Sequence, residues 1–495
     1  MAKTAKPTAS EQDGVSYHRA STWQVILTMM SNALSMTFYS LIGYMSYVAS
    51  EGYGIVLAAA GVILTVTRVF DGVIDPFLAL VMDRINTRFG KIRILMVAGW
   101  VIRTLAVLML YVWFSGKGMG VVFFIAMYLL YIVGASICDI SGLMAQAAIT
   151  NDPRQRPMVG VWGTAFSYLV PMILTVVVTM VILPAHDNVY SAQMLSDTAL
   201  FLVPVSFVFM VLTCVGVSCI DKPETFENVS ASGEESQVSF KDMAALLKSN
   251  HPFQMYVVHC VSAKLAQQTV SQSIVTTVIF GILIGNIQFG TILSMLAMLP
   301  SIVFAVIAGK FAGKYGSKTI AIYAMASGIV VSVITLVFCG AIDMKSISTS
   351  TVPMVVFFLL TLVLNALKMC VTTADNAMRA DVIDYELDRS GKYLPAVVNA
   401  TYNVIDQLIS SLGATVAACG LAAVGYAATA PQPDDPVTAG VKAMGLFLYF
   451  GIPALGWLAG LWSMKHYELS RERMVEIQRD IADKKDAAIS EATNA

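Results

Sequence analysis

The chain has 495 residues, of which 57% are hydrophobic and 13% charged, and its formal net charge is −1. Soluble domains average about 25% charged residues, so the composition excludes an ordinary soluble enzyme. Apolar runs of about 20 residues, enough to cross a bilayer core of about 30 Å, recur along the whole chain. The short alternating segments of a membrane β-barrel are absent.

Run length predicts twelve transmembrane helices. A polar tail at 1–22 precedes spans at 23–49, 55–82, 94–114, 120–148, 158–183 and 198–220. A polar interruption at 221–252 follows, then spans at 255–284, 288–309, 319–340, 352–378, 393–424 and 441–464, and a tail at 465–495. The first span lacks a small-residue cleavage site and reads as a retained helix. The expectation is an all-α polytopic membrane protein with two pseudo-symmetric six-helix bundles, 23–220 and 253–464. Within the interruption, SFKDMAALLKSN reads as a short amphipathic helix lying on the membrane surface.

Basic residues concentrate on one set of loops, among them Arg84, Arg88, Lys91, Arg93, Arg154, Lys310, Lys314, Lys318, Arg379 and Arg389. The positive-inside rule then places both termini in the cytoplasm of a cell-membrane protein. DRINTRFGKIR after the second span echoes GKFAGKYGSK after the eighth, pairing Arg84 with Lys310, Arg88 with Lys314 and Gly90 with Gly316. Such an echo is expected of an internally duplicated transporter that binds its cargo between the halves.

The most informative stretch is RVFDGVIDP, inside the second span. Arg68, Asp71 and Asp75 share one helical face. An acid at the bilayer centre costs about 2.5–3.5 kcal/mol on insertion scales and marks a cavity, a partner or a functional site. Asp139, with Ser136 one turn earlier, is a third acid in the fourth span. Three carboxylates and a hydroxyl would make an all-oxygen site for Na⁺ or a proton; the alternative is an ion pair that locks two helices. Lys264, Lys368, Asn399, Asn403 and Asp406 in the second half are hydrogen-bonding handles for a polyhydroxylated or charged cargo, or bonds between helices.

The seven cysteines and five histidines show no metal-ligand spacing. No metal beyond a Na⁺ ion, no organic cofactor, no nucleic acid and no obligatory protein partner is expected. The chain carries no P-loop or nucleophile–base motif and does not read as an enzyme.

RVFDGVIDPFLALVMDRINTRFGKIR, ICDI around Asp139 and MRADVIDYELDRSGK together resemble the glycoside–pentoside–hexuronide:cation symporters. The resemblance implies the major facilitator fold. It also implies coupling-cation residues at Asp71, Asp75, Asp139 and Ser136, with Arg68 matching a family arginine. The polar residue before the second acid is Ile74 here. The sugar-site positions depart: Ser35 stands for the first-helix acid, Leu143 for the fourth-helix tryptophan and Thr164 for the fifth-helix arginine. The eleventh-helix lysine falls near Asp406 or Ser411, depending on the alignment after Tyr385.

Ser35, Arg68, Thr164, Lys264, Lys368, Asn403 and Asp406 are therefore the substrate-site candidates. Asp83, Arg84 and Arg88, with Asp381, Asp384 and Arg389, are the candidates for a cytoplasmic gate. The expected activity is Na⁺- or H⁺-coupled import of a sugar, glycoside or hexuronide by alternating access. The alternative is a proton-linked exporter, or a carrier of non-sugar amphipathic solutes, on the same fold.

Overall fold

In lipid every backbone N–H and C=O must find its partner within the protein, and an α-helix satisfies this within one segment. The apolar runs fold accordingly. The computed structural model describes residues 19–83, 90–150, 155–221, 240–391 and 394–481, and no strand occurs among them.

The long helices follow the order of the predicted spans. They are α1 (Thr22–Ile42), α2 (Leu57–Asp83), α3 (Ile92–Leu108), α4 (Gly120–Ala148), α5 (Arg156–Val177), α6 (Ala192–Val217), α7 (His251–Val270), α8 (Ile287–Tyr315), α9 (Ser317–Ala341), α10 (Thr351–Ser390), α11 (Pro395–Ala422) and α12 (Ile452–His466). The amphipathic stretch forms a helix at Phe240–Ser249. Among the described residues nine helices are long and apolar enough to cross a membrane, or ten if a bent pair is one span.

The seventh span departs from expectation. Asn250 accepts from the Phe253 N–H at 2.8 Å and Pro252 fills the first turn, so α7 starts at His251. It stops at Ser271, and the run resumes as Ser273–Thr276 and a π-helical stretch, Thr277–Leu283. Segment Ser273–Leu283 meets Ile287–Ala297 at 116°.

The chain divides into two compact units. The first comprises Met1–Val48, Val73–Leu183 and Ser191–Glu235; the second comprises Ala49–Gly72, Pro184–Tyr190 and Ser236–Ala495. The second unit thus includes Leu57–Gly72 of α2.

In the first unit α1 packs on α5 and α6, and α3 on α4. Small residues permit these approaches, as is usual where lipid removes the hydrophobic drive between helices. A methyl on Gly134 of α4 would lie 2.5 Å from the Arg103 backbone nitrogen of α3, and one on Gly216 of α6 would lie 2.6 Å from the Thr28 nitrogen of α1. The start of α3 is held by Asp221, just beyond α6. Its buried carboxylate accepts from the N–H groups of Lys91, Ile92 and Arg93 at 2.8, 3.1 and 2.9 Å, and from Arg93 Nε at 3.1 Å. An acid at a helix N-terminus satisfies orphan donors and complements the helix dipole. Gly90 (φ 95°) delivers the chain to this cap, where a side chain would collide with Asp221.

In the second unit α7 packs on α11 and α12, and α10 on α8 and α9. Gly316 (φ 90°) turns the chain between α8 and α9. Segments after α12 brace this turn: Lys318 Nζ donates to the Tyr467 carbonyl at 2.5 Å and Arg471 donates to the Lys314 carbonyl. In both units, residues following a last helix hold a glycine turn after a second helix.

Candidate functional site

The first part of α2 lies against α11 through small and hydroxylated residues. Thr65 Oγ1 donates to the Ser411 carbonyl at 2.9 Å, and Thr415 Oγ1 donates to the Gly61 carbonyl at 2.9 Å. Two turns beyond Thr65, Asp71 Oδ2 accepts from Gln407 Nε2 at 2.6 Å. Asp71 and Arg68 are half-buried. Asp75 follows one turn later on the same continuous helix, which runs through Pro76 to Asp83. The side chains of Asp75 and Asp83, and the whole of Arg84 and Arg88, lie outside the described residues.

In the first unit α4 carries Ser136 and Asp139. Ser136 is buried, whereas the Asp139 side chain is 49% exposed and accepts a hydrogen bond from Ser35 Oγ of α1. The structure thus joins a residue assigned to cargo with one assigned to the cation. Near the same carboxylate oxygen stands Arg103 of α3, its Nη1 3.9 Å from Asp139 Oδ1. The Arg103 guanidinium is fully buried. It donates to Tyr131 Oη at 2.7 Å and lies 4.4 Å from the Phe38 ring centroid, while its Nε and Nη1 have no hydrogen-bond partner. A fixed cation therefore backs an acid whose oxygens remain partly open. Thr164, on α5, is exposed.

The second unit holds a longer polar network. Arg379 of α10 donates to Tyr256 Oη at 3.1 Å and lies 4.2 Å from the Tyr402 ring centroid. Tyr402 Oη donates to Asp406 Oδ1 at 3.4 Å, and Lys264 of α7 is an electrostatic neighbour of Asp406. Asn403, next to Tyr402 in the chain, is exposed. Lys368 lines a separate small cavity, about 20 Å³, with Ser332, Thr361 and Asn365. That volume holds about one water molecule. Lys264, Asp406 and Lys368 are therefore not one cluster.

Helix α10 has 40 residues, about 60 Å of rise and twice a bilayer core, so its charged end projects beyond the membrane. There Arg389 pairs with Glu386 at 3.0 Å, and Asp384 accepts from Gln478 at 2.7 Å. Burial raises the Asp381 carboxyl to about 6, and neighbouring Asp384 adds to the rise. Of the described members of the proposed gate, Arg389 is thus engaged with Glu386 and Asp384 with Gln478.

The sequence pattern of the MFS/sugar transport protein family matches residues 24–471. The chain belongs to that family. A glucuronide carrier protein homolog of Escherichia coli K12 is 23% identical over 474 residues, covering 93% of this chain and 95% of that protein. YagG of the same strain, named for glycoside/cation symport, is 21% identical over 442 residues, covering 88% and 89%. Two solved structures share the fold. The nucleoside transporter NupG has a TM-score of 0.56 at 14% identity, with 90% of this chain and 99% of that one covered. A bacterial homologue of human drug–peptide transporters has a TM-score of 0.57 at 11% identity, with 92% and 98% covered.

Against this MFS sugar-transporter background, two features had escaped the sequence reading. Arg103 is the only charge between Ile94 and Phe114, the same signal that marked Asp139. His259 and Cys260 had no spacing motif to announce them, yet their donor atoms and one from Asp375 lie within 4.8 Å of one another.

Proposed function

We propose that this MFS sugar transporter is a cation-coupled symporter that imports a sugar, glycoside or hexuronide-type solute across the cell membrane, with both termini cytoplasmic. The observation that carries the reading is Asp139: a half-open carboxylate in an apolar helix, holding the Ser35 hydroxyl and backed by Arg103. Asp71, Asp75 and Asp139, with Ser136, are the cation-coupling residues, and Na⁺ or H⁺ is the ion. Oxygen donors of this kind suit a hard cation, and the acids are tolerated in lipid because an ion or a proton neutralises them during the cycle.

The shared neighbourhood of Ser35 and Asp139 gives coupling a short physical path. A cation on Asp139 withdraws electron density from an oxygen that also accepts from Ser35, so ion and cargo address the same side chains. Such coupling is reciprocal: cargo raises ion affinity by the factor by which the ion raises cargo affinity. The halves 23–220 and 253–464 then expose the site alternately. Loss of carboxylates at Ser35 and of an arginine at Thr164 makes the cargo site less acidic and less basic than the family pattern implies, which favours neutral hydroxyl recognition there. Asp83, Arg84, Arg88, Asp381, Asp384 and Arg389 gate the cytoplasmic side.

The test is counterflow and uphill accumulation of labelled glycosides and uronides in proteoliposomes, with wild type and Asp139→Asn. The reading expects a cation gradient to drive accumulation in wild type, and Asp139→Asn to retain exchange but lose accumulation. Equal accumulation by both would contradict it.

A further inference from the structure

Lys368 stands on α10, one turn from the middle of the predicted span 352–378. Among the described residues its side-chain nitrogen makes no hydrogen bond and no ion pair, and no charged group stands close enough to influence it. It lines a cavity of about 20 Å³ inside the second unit. The other walls include Ser332 of α9, Thr361 and Asn365 of α10, Tyr449 just before α12 and Trp457 within it; no carboxylate is among them. Lys368 is half-buried rather than sealed, which leaves a small ion a way in.

Ser332 shows independently that the cavity wants an occupant. A hydroxyl on an apolar helix commonly donates to the carbonyl one turn back. Thr335, Thr361 and Thr373 do so, to Val331, Phe357 and Met369 at 2.7, 2.6 and 2.8 Å. Ser332 is 1% exposed, yet its Oγ has no hydrogen-bond partner. A buried donor left unmade is costly. The cavity therefore brings together an uncompensated ammonium, an unspent O–H and the side-chain amide of Asn365.

We propose that this cavity is an anion site that holds one halide ion, chloride by preference, on the Lys368 ammonium, with Ser332 and Asn365 as further donors. The sign follows from the lining: a lysine at this depth calls for a countercharge, and the walls supply donors but no acid. The size follows from the volume, which suits a single water-sized occupant. A carboxylate-bearing solute, with three heavy atoms at its anionic end alone, does not fit. Water would accept from the same donors but would leave the charge of Lys368 standing in the membrane. A lipid headgroup is excluded by depth. The bound ion would tie α9, α10 and α12 together from within, as a structural ligand of the second unit and not as cargo. None of this rests on cation coupling.

The test is thermal unfolding of the full chain, purified in sodium gluconate, as chloride replaces gluconate at constant Na⁺ and ionic strength. The wild-type melting temperature should rise with chloride as RT ln(1 + [L]/Kd). Lys368→Met should show no rise, and Ser332→Ala should need about 10-fold more chloride, the factor for one hydrogen bond to a charged group. Bromide gives a readout that requires no variant: anomalous diffraction from bromide-soaked wild-type crystals should place a peak between Lys368 and Ser332. If Lys368→Met does not fold, Ser332→Ala and the bromide peak decide. Equal chloride responses in wild type and Lys368→Met would overturn the proposal, as would a wild type that responds to neither halide. Displacement of chloride by glucuronate would overturn it too, by assigning Lys368 to the cargo.

Discussion

Gln407 donates its side-chain amide to Asp71 at 2.6 Å, so an intramembrane acid on α2 is oriented by α11. A hydrogen bond to an ionised group contributes about 1.5–3 kcal/mol. Outer partners of ion ligands typically carry about 10–100-fold in ion affinity. Gln407→Leu is expected to weaken Na⁺ binding by about that factor, measured by Na⁺ titration of the purified protein. Unchanged affinity would remove Asp71 from the ion site or Gln407 from its support.

Arg103 makes a different prediction because its charge is buried while that of Asp139 is half open. Arg103→Gln forfeits the contact with Phe38 and the bond to Tyr131. A desolvated cation–π contact alone is worth about 2 kcal/mol. Thermal unfolding in detergent should therefore shift clearly downward. Asp139 would also lose its resident countercharge, so Na⁺ should bind Arg103→Gln more tightly than wild type; weaker binding would make Arg103 a support of the ion site rather than its competitor.

Much of this architecture was legible in the sequence. Apolar run length located the helices because lipid permits little else. The paired glycines 90 and 316 were readable as an echo because both turns require positive φ, 95° and 90° here. The interruption of α7 was not legible: Ser271 and Gln272 extend a polar stretch that already holds Gln267 and Gln268, and hydropathy does not record a change of helix direction. Nor was the Ser35–Asp139 bond, since 104 residues separate its partners and only packing of α1 near α4 unites them. His259 and Asp375 were hidden for the same reason, with 116 residues between them.

Asp221 supplies a test of the fold independent of transport. It is buried and satisfies three backbone donors and Arg93. Asp221→Ala leaves those donors unpaired, each at about 1–3 kcal/mol, so folded yield and melting temperature should fall sharply. Asp221→Asn should recover part of the loss through its remaining carbonyl oxygen. Equal stability of all three proteins would refute the cap.

Asp381 predicts a pH dependence. Its carboxyl is raised to about 6 in the folded protein, from an ordinary value of 3.8, by burial and then by Asp384. A raised acid favours folding while protonated, so its contribution is full below about pH 4 and is lost as pH rises through about 6. Asp381→Asn should gain stability relative to wild type over that interval, by on the order of 1 kcal/mol after solvent screening. A difference that does not vary between pH 4 and pH 7 would contradict the shift.

The central claim is that the intramembrane acids bind the coupling ion. It is tested most directly by thermal unfolding of the purified protein against Na⁺ concentration, at constant ionic strength and alkaline pH, for wild type and Asp75→Asn. A bound ion stabilises by RT ln(1 + [L]/Kd). The account predicts a melting temperature that rises with Na⁺ in wild type and stays flat in Asp75→Asn. The same rise in both proteins would contradict a sodium site at these acids. A flat response in both, with Asp75→Asn more stable than wild type, would assign the acids to protons instead.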